Sequence, residues 1–252
     1  EISIERALLY TESHKTTEGV PEIIRRALAT ENILDKVSIS IRENEIIAGN
    51  RTVKPRAGII SPEMDPYWIL EEIDTIHDRS QDKFIFTEED KVTYREKLFP
   101  YWMGKSMKDS IVATLDDEIK ESVNEKIVNL NQTDKGQGHI IPGFDMILDK
   151  GLGYLIEKVN EKAEKNDFYK AAKITLEAAS NHILRYANLA DELLETEKDE
   201  VRRKDLERIS VISRKISYEK PESFLEALQL LWYMCVILQH ESNASSISLG
   251  RI

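Results

Sequence analysis

The chain has 252 residues, with 46 acidic against 35 basic side chains and a formal net charge of −11. That balance excludes a broad basic footprint for nucleic acid or an anionic membrane as the main partner. With 41% hydrophobic and 32% charged residues, it also excludes wholesale disorder and leaves apolar material for a sizeable core.

A single cysteine, Cys235, can make no internal disulfide, and no clustered Cys/His spacing offers zinc or an iron–sulfur cluster a site. A reducing cytoplasm is the expected setting. The longest near-apolar run, Leu228 to Leu238, is too short to span a bilayer. The first residue is not methionine and the last ones follow a polar turn, so the chain is expected to be a piece of a longer protein.

In chain order, Ile4, Ala7, Leu8 and Thr11 recur at helical spacing, with Ser3 as the predicted cap. After the Gly19-Val20-Pro21 break, Ile24, Ala27, Leu28 and Ile33 predict a second helix. The period then changes: Val37, Ile39 and Ile41 alternate with polar residues, and Ile46-Ile47-Ala48-Gly49 follows a polar turn, which predicts a short β-hairpin. Pro55, Gly58, Pro62 and Pro66 make the next stretch irregular. Helix returns at Trp68, and another is capped by Thr87 and predicted to stop at Pro100.

Residues 105 to 130 carry Met107, Ile111 and Leu115 four apart and predict one amphipathic helix. A polar, glycine-bearing stretch leads through Gly138-His139 to Ile140-Ile141. Residues 168 to 196 then place Ala172, Leu176, Ala179, Ile183, Tyr186 and Ala190 on one stripe, and 199 to 216 form a charged helix carrying Val201, Ile209, Ile212 and Ile216. Pro221 is predicted to open the last helix, whose Leu228 to Leu238 segment is expected to be buried on every side. No repeat or linker divides the chain.

Candidates for chemistry are few. His14, His77 and His182 read as surface or helix-packing residues, and His240 reads as a cation completing a helix C-terminus. Cys235 reads as an inert thiol, because burial in the apolar helix raises its pKa and blocks access. His139 stands out because the preceding glycine lets backbone approach a ligand closely, and the ring could donate to a ligand oxygen. The polar turn from Glu241 to Ser246 presents hydroxyls and an amide directly after an apolar helix; a plain C-cap with local hydrogen bonds is the competing reading.

The order of these motifs carries a resemblance. Ile2-Ser3-Ile4-Glu5-Arg6-Ala7, Ile46-Ile47-Ala48-Gly49-Asn50, Gly138-His139, Lys220-Pro221-Glu222-Ser223-Phe224 with Trp232, and Glu241-Ser242-Asn243 through Ser248-Leu249-Gly250-Arg251 span the chain. Together they make it similar to the N-terminal part of glycyl radical enzymes of the pyruvate formate-lyase superfamily, over residues 1–252. The resemblance implies a predominantly α-helical fragment with its hairpin, belonging to a ten-stranded α/β barrel. It places the thiyl-forming cysteine and the radical glycine beyond Ile252, and Cys235 does not match the catalytic cysteine.

What the resemblance implies for this portion is substrate positioning. In the glycerol and diol dehydratase branch, a histidine after glycine and a stretch written NGHSIS contact substrate hydroxyls. His139 matches the first, and Asn243, Ser245 and Ser246 align with the second. Ala244 and Ser245 stand where that pattern has glycine and histidine, a departure from the glycerol and propanediol pattern in a turn that stays polar. The expected activity of the whole protein is radical cleavage of a C–O, C–C or related bond in a small oxygenated metabolite. Formate acetyl transfer with coenzyme A and a non-catalytic helical scaffold are the alternatives. No cofactor or metal is expected to bind this chain directly. The radical would be installed by a separate activating enzyme that uses S-adenosylmethionine and an iron–sulfur cluster, and a homodimer in an oxygen-free cytoplasm is expected, with no nucleic-acid or membrane partner.

Overall fold

The longest apolar stripe in the sequence becomes the axis of the molecule. In the computed structural model, which describes residues 1–128, 139–242 and 246–250, one helix runs from Asp167 to Thr196. Asn166 caps it by accepting from the Tyr169 N–H. Its buried face is rich in small residues, Ala171, Ala178, Ala179, Ala187 and Ala190, which let neighbouring helices approach closely around Ile183 and Tyr186.

The elements in order are β1 (Ile2–Ser3), α1 (Glu5–Thr16), α2 (Glu22–Lys36), β2 (Gly58–Ile59), α3 (Tyr67–Glu72), α4 (Glu88–Thr93), α5 (Phe99–Trp102), α6 (Met107–Ala113), α7 (Asp117–Asn124), β3 (His139–Ile140), α8 (Phe144–Asn160), α9 (the axial helix), α10 (Glu200–Ile216), α11 (Phe224–Ser242) and β4 (Ser246–Ile247). Helices α2, α8 and α10 pack on α9, and α11 closes the main core through Leu230, Leu231, Tyr233 and Ile237. A second core gathers Ile2, Ile4, Ile60, Ile69, Ile73, Tyr94 and Leu98. Strands β1 and β2 pair in parallel, with Ile2 opposite Gly58.

The predicted hairpin does not form: residues 37–50 contain no strand. The alternation is real burial, with Val37 and Ile41 in the core, but the segment is an extended strap laid across helices. Its backbone groups are satisfied by long side chains instead of a ladder. Arg185 donates to the Val37 carbonyl, Arg202 to those of Arg42 and Glu45, and Gln229 pairs with both the N–H and C=O of Ala48.

Other expectations shift for local reasons. Ser3 makes no cap on α1, whose N-cap position is Ile4. Pro100 does not stop its helix, because a π-helical turn over Tyr94–Leu98 precedes it and Met103 N–H still reaches the Phe99 carbonyl. The helix predicted over 105–130 is broken where Asp116 caps α7 by accepting from Ile119 N–H. Pro221 lies ahead of α11, whose first turn is held by Glu226 and Ser223. Val201 is exposed, and Leu206 takes the core position on α10. Helix α11 is not buried all round: Phe224, Leu228 and Trp232 line an exposed face. Among the described residues no helix is long and apolar enough to cross a membrane.

Candidate functional site

Strands β3 and β4 bring together the two segments that the sequence singles out. They pair in parallel, with His139 opposite Ser246 and Ile140 opposite Ile247, and the Ser248 N–H donates to the Ile140 carbonyl at 3.0 Å. Asn243 and Ser245 lie outside the described residues. The backbone therefore joins one predicted substrate contact from each segment at a single register position.

The end of α11 that leads to β4 is held from outside its own helix. The Arg6 side chain is fully buried; its Nε donates to the His240 carbonyl at 2.7 Å and its Nη2 to the Glu241 carbonyl at 3.2 Å. These carbonyls belong to the last turn, where no intrahelical partner exists and a positive charge complements the helix dipole. Arg6 Nη2 also sits 2.7 Å from Glu63 Oε1. Arg26 reaches the Glu241 carboxylate at 2.6 Å. Sequence reasoning missed Arg6, although a charged residue flanked by Ala7 and Tyr10 on the buried stripe of α1 was a visible signal.

Below this end lie two buried imidazoles. His240 is fully buried, its ring 6.0 Å from that of His182, which donates through Nδ1 to the Leu34 carbonyl. Burial pushes His182 down to about 4 and His240 well below its ordinary value, with the charges of Arg6, Arg51 and Arg185 adding to the effect on His240. His240 is therefore a neutral ring and not the cationic cap expected from its position. His14 is buried too, against Tyr101 and Trp102. Cys235 is half-buried and burial raises its thiol pKa, in line with the inert reading.

The histidine pair has a measurable consequence. Both groups titrate near 6.5 when unfolded and lower when folded, so the unfolded state binds more protons between about pH 6.5 and 4. Stability is complete above about 6.5 and falls as pH drops through that window, by at most about 1.4 kcal/mol per pH unit for each histidine. Urea midpoints at several pH values measure this. The His182→Asn variant is expected to show a shallower acid slope than wild type, and equal slopes would exclude His182 as a contributor.

Among the described residues there is no cluster of His, Cys, Asp or Glu able to hold a metal ion. The architecture so far is a helical framework that presents paired strand segments. The chain belongs to the pyruvate formate lyase-like family, whose model matches residues 1–252. It is 36% identical to the probable dehydratase YbiW of Escherichia coli, over 100% of this chain and 32% of that protein. The glycerol-bound B12-independent glycerol dehydratase of Clostridium butyricum superposes with a TM-score of 0.90 at 34% identity, over 99% of this chain and 33% of that one. A glycyl radical enzyme from Archaeoglobus fulgidus gives 0.88 at 34% identity, over 100% of this chain and 34% of that one. The chain thus spans about a third of the length of these relatives.

Proposed function

We propose that the full-length protein is a glycyl radical dehydratase or lyase acting on a small oxygenated metabolite, and that this portion of its catalytic domain supplies part of the wall that orients the substrate. The observation that carries the reading is the pairing of His139 with Ser246, two positions that resemblance to the diol dehydratase branch assigns to substrate hydroxyls. In this reading His139, Asn243, Ser245 and Ser246 hydrogen-bond substrate oxygens, while the radical glycine and thiyl cysteine come from the remainder of a barrel-bearing domain. The relatives above are dehydratases and a glycyl radical enzyme, which favours elimination over acetyl transfer.

The chemistry asked of this portion is positioning. A thiyl radical that removes a hydrogen atom needs the substrate held at contact distance, and oriented donors ease departure of the adjacent oxygen or sulfur group. Ser245, where the NGHSIS pattern has histidine, offers a short neutral hydroxyl in place of a titratable ring. The substrate would therefore be larger, or differently substituted, at that end. A separate S-adenosylmethionine-dependent activating enzyme, a homodimeric assembly and an anaerobic cytoplasm complete the proposal.

His139→Ala in the activated full-length enzyme tests it. Loss of one positioned donor is expected to lower kcat/KM by about two to three orders of magnitude, with the glycyl radical signal in electron paramagnetic resonance unchanged. Full turnover and unchanged KM would remove His139 from the site.

A further inference from the structure

A cleft of about 530 Å³ opens between residues 42–57, the end of the strap and the loop that follows it, and the exposed side of α11. Its charge runs against that of the chain: Arg42, Arg51, Lys54 and Arg56 line it with a single acid, Glu45, which Arg42 already engages at 3.1 Å. Lys54 is shared between Glu1 at 3.4 Å and Asp90 at 3.6 Å. Arg51 and Arg56 have no hydrogen-bond or ion-pair partner among the described residues. In a molecule with 46 acidic side chains, a half-buried guanidinium left unpaired is the exception. Partial desolvation without a counter-charge is unfavourable and pulls Arg51 below its ordinary pKa.

The backbone that carries Arg51 is firmly placed. Gln229 holds both backbone groups of Ala48, at 2.9 and 2.7 Å, and Trp232 Nε1 donates to the Gly49 carbonyl at 2.7 Å. The Asn50 N–H donates to Tyr186 Oη at 3.1 Å, and Asn50 Nδ2 to the Ser40 carbonyl at 2.7 Å. Gly49 has φ +124°, and a Cβ there would stand 3.0 Å from the Trp232 ring, so glycine is what allows the strap to sit on the indole. Three consecutive residues are thus pinned to α9, α11 and the strap itself immediately before Arg51. The anchored backbone fixes where the Arg51 side chain starts, and its unpaired guanidinium offers planar paired donors to an oxyanion.

We propose that this cleft is a binding site for a small oxyanion, a carboxylate, phosphate or sulfonate group free in solution, with Arg51 as the principal ligand and Arg56 and Lys54 supplying flanking charge. This site stands on its own residues and does not depend on the roles assigned to His139 and Ser246.

The test is isothermal titration of the full-length protein with inorganic phosphate at constant ionic strength, with chloride as the balancing anion. The expected result is saturable binding that Arg51→Gln weakens about tenfold or more, the loss of one charge-assisted hydrogen-bonding group. Arg51→Lys, which keeps the charge and loses the fork, is expected to fall between them. Circular dichroism establishes that the variants fold, and Arg51→Lys with Arg56→Gln carry the test if Arg51→Gln does not. Absence of saturable binding by wild type overturns the proposal, as does binding that Arg51 substitutions leave unchanged. If wild type binds no phosphate and Arg51→Gln lowers the unfolding midpoint, the guanidinium instead pairs with a carboxylate elsewhere in the polypeptide, and the ligand site is again overturned.

Discussion

Replacing Arg6 with methionine is expected to destabilise the folded protein by about 3–5 kcal/mol, the cost of leaving one member of a buried ion pair without its partner. The guanidinium is the counter-charge of Glu63, which is 6% exposed and whose carboxylate has no hydrogen-bond partner among the described residues beyond this ion pair. It is also the donor for the His240 and Glu241 carbonyls, and more distantly for Ile60. Methionine matches much of its volume, so the loss isolates charge and hydrogen bonding from packing. Urea unfolding of the full-length protein gives the magnitude. Adding Glu63→Gln removes the stranded carboxylate and is expected to restore part of the loss, a coupling that a double-mutant cycle reads directly. A loss below about 1 kcal/mol, or no coupling with Glu63, would mean that Arg6 does not anchor the end of α11.

The second large effect is expected at Gly151. Here α8 departs from helical geometry, with φ +79° and ψ 166°, a region essentially reserved for glycine. The departure lets α8 press against the loop between α10 and α11: a Cβ on Gly151 would stand 2.6 Å from the Lys220 nitrogen and 2.7 Å from the Glu219 carbonyl carbon. Neighbouring Gly153 donates to the Tyr218 carbonyl at 2.7 Å. Gly151→Ala therefore combines backbone strain with a clash against backbone that cannot rotate away, together about 3–5 kcal/mol. Gly19→Ala is the control, since Gly19 has φ +85° with nothing within 4 Å of the added atom and so reports strain alone. Equal losses at the two positions would show that the α8 contact contributes nothing.

Both effects were invisible to pattern reading for the same reason. An apolar period reports which face of a helix meets other apolar groups, and on that basis α2, α9, α10 and α11 were legible, as was the Thr87 cap, whose hydroxyl accepts from Asp90 N–H three residues away. Arg6 and Gly151 act on residues remote in sequence, and no local period encodes a carbonyl of α11 or a nitrogen at Lys220. The strap over 37–50 shows the limit most clearly. Alternating burial specifies an extended chain with two different sides, and the partner of that chain can be a strand or a set of Gln, Arg and Trp side chains. The same reasoning applies to α11, where the apolar run identified a buried helix but not the exposed face of Phe224, Leu228 and Trp232.

For the candidate site, residue type and motif order were enough to mark His139 and the turn up to Ser246, because glycine, histidine and clustered hydroxyls are locally unusual beside apolar runs. Helix content followed equally from composition and spacing, which depend on short-range geometry. The register that sets His139 opposite Ser246, the anchoring of α11 by Arg6 and the neutral state of His240 came from the folded arrangement alone. Each depends on which distant groups exclude water from one another, and that exclusion exists only once the helices have packed.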